Sequence, residues 1–162
     1  MLAQALERFK PANSKVFTAR QRYSFGSSLP SMAASAFAAS VPFEKRLEES
    51  ERILAKHPNK IPVVCEKARR CADVPNMERK KFLVPRTMMC GEFKYVIHTH
   101  LKQDCGMNAT AEQTIYLFVG KKSPLTSATM ADMYDEHKDA DGFLYMTYAS
   151  ENTLGATHSS RS

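Results

Sequence analysis

A chain of 162 residues with 43% apolar content can bury the core of one domain with length to spare, and none of its runs approaches the ~18 apolar residues of a spanning helix. Its four cysteines, Cys65, Cys71, Cys90 and Cys105, include no CxxC pair, which excludes zinc-ribbon spacing; without a secretory signal they are expected as reduced thiols. The net charge of +6 is concentrated in residues 1–42, with five basic residues against one acid, while residues 43–155 hold 17 basic and 16 acidic groups. So neutral a body argues against a nucleic-acid partner.

Residues 1–42 read as an N-terminal extension, expected to be disordered. They are basic, serine-rich and acid-poor, and only Met1–Lys10 has the spacing of a short amphipathic helix. That composition matches a mitochondrial transit peptide, but a disordered extension, or a true start at Met32, is the plainer reading of composition alone.

Pro42 opens a predicted helix that runs to His57-Pro58, with Phe43, Leu47, Ile53 and Leu54 as its apolar stripe. Ile61-Pro62-Val63-Val64-Cys65 reads as a strand with Pro62 confined to its beginning or to an edge. A basic, irregular connection, Glu66 to Glu78, leads to a second proline-bearing strand in Arg79–Pro85. Two such strands in succession suggest a hairpin with an exposed edge.

Gly91 starts a second helix with Phe93, Val96, Ile97 and Leu101 on one face. His98 and His100 point about 200° apart there and cannot share a metal, so they are expected to face solvent. Lys102–Asn108 reads as a loop. Thr114–Val119 is apolar on both faces, which predicts a central strand. Thr129-Met130-Ala131-Asp132 has capping-box form and starts a short helix with Met130, Met133 and Tyr134 inward. The last strand, Phe143–Ala149, alternates between two apolar faces and follows an Asp141-Gly142 turn; the chain from Ser150 onward is expected to lack core residues. This order of elements fits an α+β domain whose mixed sheet clasps a helix.

No catalytic chemistry is legible. There is no GxSxG, phosphate-binding glycine loop or HExxH, and no catalytic residue, metal ligand or cofactor is implied. Asp135, Glu136, Asp139 and Asp141 flank a helix end and a turn, where solvated acids are routine. A binding or tagging module is therefore the stronger class and an enzyme the weaker.

Several stretches converge on one family: Phe43-Glu44-Lys45-Arg46, Ile61-Pro62-Val63-Val64, Glu66-Lys67-Ala68, Lys81-Phe82-Leu83-Val84-Pro85, Ser127-Ala128-Thr129-Met130, Tyr134-Asp135-Glu136-His137 and Phe143-Leu144-Tyr145. In this order they resemble the autophagy ubiquitin-like modifiers, the group of the GABA-receptor-associated protein and the microtubule-associated light chain. The resemblance implies a ubiquitin-like β-grasp over residues 43–155 with an extra N-terminal helix. It implies a precursor cut by a cysteine protease between Gly155 and Ala156, releasing residues 156–162. Activating and conjugating enzymes would then join Gly155 to phosphatidylethanolamine, giving a cytoplasmic protein with a lipidated form on autophagosome membranes. Cargo receptors would dock through an aromatic-x-x-aliphatic motif in two pockets. The positions matching the first are Glu49, Ile53, Pro62, Val64, Lys81, Leu83 and Phe143; those matching the second are Phe82, Val84, Pro85, Met88, Phe93 and Val96. The alternative is a ubiquitin-like peptide-docking module that is never conjugated.

The chain departs from that pattern in places. Leu154 stands before Gly155 where the family has an aromatic residue, and His100 stands for an arginine. Lys102–Met107 reads as an insertion. The short helix that usually precedes Phe-Glu-Lys-Arg is not evident in Ala33–Val41.

Overall fold

The computed structural model describes residues 35–104 and 114–151. Among these residues, four helices and four strands follow in the order α1 (Ala36–Ser40), α2 (Phe43–Lys56), β1 (Lys60–Lys67), β2 (Lys81–Pro85), α3 (Cys90–Asp104), β3 (Ile115–Phe118), α4 (Met130–His137) and β4 (Leu144–Ser150). The sheet order is β2-β1-β4-β3. β1 runs antiparallel to β2 and parallel to β4, and β3 runs antiparallel to β4. This is the mixed sheet of a ubiquitin-like β-grasp.

Strand alternation separates two faces. Ile61, Val63 and Cys65 of β1, Phe82 and Val84 of β2 and Leu144, Met146 and Tyr148 of β4 share one core with Phe93, Ile97 and Leu101 of α3. The other face carries Pro62, Val64 and Glu66 of β1 and Tyr145 of β4, with α2 lying against β1. Pro62 sits inside a central strand, and the register explains why this is tolerated. Cys65 N–H donates to the Lys80 carbonyl of the β2 side, so alternate nitrogens, 62 among them, turn toward β4. Pairing with β4 begins only at Val63, so the missing donor leaves no gap in the ladder.

Some expectations are corrected. A short helix does precede Phe43: α1 is capped by Ser35, whose Oγ accepts from Ala38 N–H, in an alanine-rich run that favours helix. The face that α2 buries most deeply is polar, Arg46 and Ser50, whereas Phe43 is exposed. The connection after β1 is no bare loop, since it plugs Cys71, Val74 and Met77 into the core. β3 is an edge strand, not a central one; half-buried Tyr116 lies under Lys94 Nζ at 5.0 Å, so side chains rather than a neighbouring strand shield it. His98 and His100 are half-buried, and the His100 ring lies 5.6 Å from Phe82. Ser150 belongs to β4 and is fully buried against Cys71, so the chain leaves the core one residue later than expected.

The acids ahead of β4 are not all solvated either. Asp141 is buried and takes the Arg46 Nη1 at 2.5 Å and the Tyr145 hydroxyl at 2.6 Å, while its Oδ1 accepts from Phe143 N–H. Ser50 Oγ donates to its carbonyl. Burial, then the hydrogen bond to Asp141, pushes the Tyr145 phenol well above its ordinary range, and burial raises the Asp139 carboxyl. This network fastens α2 to the turn that leads into β4.

Candidate functional site

β2 is the outer strand at one side of the sheet, and its edge has the groups needed to accept a further strand. Arg86 N–H donates to Asn59 and Cys65 N–H to Lys80, so Phe82 and Val84 spend their backbone groups on β1 by alternation. The backbone groups of Lys81 and Leu83 therefore face outward; the Lys81 carbonyl has only a long bond, 3.5 Å, from Arg79 Nε. Charged neighbours and Pro85 are the usual protections of such an edge.

The side chains of β2 divide by the same alternation. Lys81, Leu83 and Pro85 are exposed, and Phe82 and Val84 are buried. On the Leu83 side lie the first group of positions. Leu83 pairs with Pro62 and Lys81 with Val64, and Lys81 Nζ reaches Glu49 Oε1 of α2 at 2.6 Å. Ile53 is half-buried one turn after Glu49, and Phe143 is buried just ahead of β4. Leu83 itself is 37% exposed, an apolar side chain held out beside the edge.

On the opposite face lie the second group. Phe82 and Phe93 meet edge to face at 5.7 Å and are part of the core, as is Val84. Met88 and Val96 are half-buried and form the reachable rim, whereas Pro85, exposed at the end of β2, alternates to the Leu83 face. Arg79 lies over the Phe82 ring at 5.5 Å, which brings positive charge to the same strand as Lys80 and Lys81. Apart from Pro85, the fold thus gathers each group around one face of β2. Gly155 and Ala156 lie outside the described residues.

This arrangement suits an extended peptide with anchors three residues apart. In a strand, side chains at i and i+3 point to opposite faces, so an aromatic-x-x-aliphatic segment laid along β2 would present one anchor to each group. Acidic neighbours would meet Arg79, Lys80 and Lys81.

The arrangement offers little to catalysis. Burial pushes the Cys65 thiol far above its ordinary range, and the Cys90 thiol is raised for the same reason, so neither is a ready nucleophile. Among the described residues no cluster of His, Cys, Asp and Glu could hold a metal, and no helix is long and apolar enough to cross a membrane.

Two residues near the groove were not singled out in the sequence. Phe37 of α1 packs edge to face on Phe143 at 5.8 Å, and Glu66 holds the start of α1. The signal for the first was local: Ser35 ahead of an alanine-rich run is an N-cap. Glu66 has no local signal, because its partners lie about thirty residues earlier in the chain.

Comparison with known proteins agrees with this architecture. The family model described as autophagy protein Atg8, ubiquitin-like, matches residues 45–155. The chain is 47% identical over 125 residues to Autophagy-related protein 8a of Arabidopsis thaliana, covering 77% of this chain and 97% of that protein. It is 46% identical to Autophagy-related protein 8 of Kluyveromyces lactis, over 75% of this chain and 92% of that one. Among solved structures, Trypanosoma brucei ATG8 superposes with a TM-score of 0.65 at 33% identity, over 72% of this chain and 95% of that one. Plasmodium falciparum Atg8, solved in complex with a Plasmodium falciparum Atg3 peptide, gives 0.64 at 43% identity, over 72% and 98%. The chain belongs to the Atg8 family of autophagy ubiquitin-like proteins.

Proposed function

We propose that this protein is a lipid-conjugated modifier that tethers cargo receptors to the autophagosome membrane. A cysteine protease hydrolyses the Gly155–Ala156 peptide bond and releases residues 156–162. The activating enzyme adenylates the freed Gly155 carboxylate with ATP, releasing pyrophosphate; its thiol displaces AMP, and exchange passes the resulting thioester to the conjugating enzyme. The amine of phosphatidylethanolamine then attacks that carbonyl, forming an amide and expelling the enzyme's thiol. Glycine suits this role because a residue without a Cβ lets the backbone approach both a protease nucleophile and a thioester. Two acyl chains give stable anchoring where one gives only reversible binding.

One observation carries the modifier reading: the family match runs through to Gly155 and ends there. The docking part rests on the outward backbone of Lys81 and Leu83 with a group of apolar side chains on either face of β2. The Atg3 peptide held by the Plasmodium relative supports a conjugating enzyme as one partner.

Intact-mass measurement of protein from starved cells tests the conjugation. Wild type is expected to lose residues 156–162 and gain a phospholipid, while Gly155→Ala stays full length at its C-terminus, unlipidated and able to bind peptide. Detergent-sensitive membrane sedimentation of Gly155→Ala would leave only the unconjugated docking module. For the groove, Leu83→Ala is expected to weaken an acidic aromatic-x-x-aliphatic peptide by about 1–3 kcal/mol, with Lys81→Ala costing less and mainly at low salt. Unchanged affinity in folded Leu83→Ala would refute the groove.

A further inference from the structure

The first pocket, the group around Leu83 and Phe143, is shut. Its floor residues Val64 and Phe143 are 0% and 1% exposed, and Pro62 is buried. Two covers account for this. Lys81 Nζ crosses to Glu49 and ties β2 to α2. The Phe37 ring stands against Phe143 with the planes 70° apart, and the same Lys81 Nζ lies 5.4 Å over it. The ammonium thus couples the two covers.

What holds Phe37 there is polar. α1 has five residues and none is fully buried, so beyond the Phe37 ring on Phe143 neither its own hydrogen bonds nor apolar packing does much to keep it in place. Its first turn is instead received by the Glu66 carboxylate, which accepts from Ser35 Oγ at 2.8 Å, Ala36 N–H at 2.9 Å and Phe37 N–H at 3.1 Å. Lys80 Nζ balances that carboxylate at 3.4 Å. A helix this short, fixed at one end by one side chain, is a part that can leave without disturbing the sheet beneath it.

We infer that α1 is a strap over the first pocket, with Phe37 in the place of the peptide's aromatic anchor and Glu66 as the latch. The inference rests on the docking reading of the groove. A bound peptide must displace Phe37, and the observed affinity is the intrinsic affinity scaled by the fraction of molecules with the strap open. A strap closed nine times in ten would weaken every ligand of the pocket roughly tenfold.

The test titrates the full-length chain with a fluorescein-labelled Glu-Glu-Trp-Glu-Glu-Leu peptide. Phe37→Ala and Glu66→Gln are each expected to bind roughly 3–10-fold tighter than wild type, since each raises the open fraction. In wild type, amide exchange at Ala36 and Phe37, whose N–H groups Glu66 accepts, is expected to accelerate on peptide saturation. Should Glu66→Gln fail to fold, Phe37→Ala and the exchange measurement decide. Equal or weaker binding by folded Phe37→Ala, with Leu83→Ala weakened as expected, would make Phe37 a wall of the pocket and overturn the strap. If Leu83→Ala binds like wild type, the docking reading itself fails and the strap falls with it.

Discussion

Asp141 and Gly142 show how two adjacent residues lock a helix to a sheet. Asp141 is buried with Arg46 as its cation, and removing one partner of such a pair leaves the other uncompensated. Asp141→Ala is expected to cost about 3–5 kcal/mol in a urea titration. Gly142 has φ +82, and a Cβ there would stand 2.5 Å from Ser50 Oγ, so conformation and space both require glycine. Gly142→Ala is expected to lose about 2 kcal/mol or more, whereas alanine at Gly120, whose φ is +61 with open space around it, should carry only the cost of the left-handed backbone, about 1–2 kcal/mol. A Gly142→Ala midpoint no lower than that of Gly120→Ala would contradict this account. The turn itself was legible, because Asp-Gly marks one wherever it occurs. The burial of Asp141 was not, since its cation lies 95 residues away.

At the scale of elements, legibility followed apolar periodicity. β2 and β4 announce themselves through alternation, β1 as a short apolar run and α3 through the helical period. Alternation on β2 divides Lys81 and Leu83 from Phe82 and Val84, whereas the pocket positions came from the family resemblance. Edge and centre are decided by partners rather than composition, which is why β3, as apolar as a central strand, was expected at the centre and lies at the edge. The connection between β1 and β2 hid for another reason: Cys71, Val74 and Met77 follow neither period, yet all are buried. Its backbone is satisfied by the last strand, with Met77 N–H donating to the Tyr148 hydroxyl and that hydroxyl donating to the Pro75 carbonyl. The segment is thus part of the core. Met77→Ala is expected to destabilise the protein by about 2–5 kcal/mol, as methionine truncations in cores do, and a loss within 0.5 kcal/mol would mean that the connection merely rests on the domain.

On the scale of the whole molecule, the question is where the folded body begins. Apolar periodicity starts at Phe43, which put everything before it in an extension expected to be disordered. The contacts of Glu66 argue for an earlier start, because a carboxylate 90% shielded from water takes three of its hydrogen bonds from Ser35, Ala36 and Phe37. Cutting the chain before Ser35 leaves those bonds intact; cutting it before Phe43 removes all three and leaves Glu66 with Lys80 alone. Each unmade bond to a buried charged group matters more than one between neutral groups. Deleting residues 1–34 is therefore expected to leave the thermal midpoint within about 1 °C of the full chain. Deleting residues 1–42 is expected to lower it by several degrees, about what 1–2 kcal/mol is worth in a domain of this size. Water reaching the bared Glu66 would reduce that fall, which is why the comparison is between the two truncations and not with a calculated total. Equal midpoints for the two would mean that α1 contributes nothing to folding and acts on the groove alone.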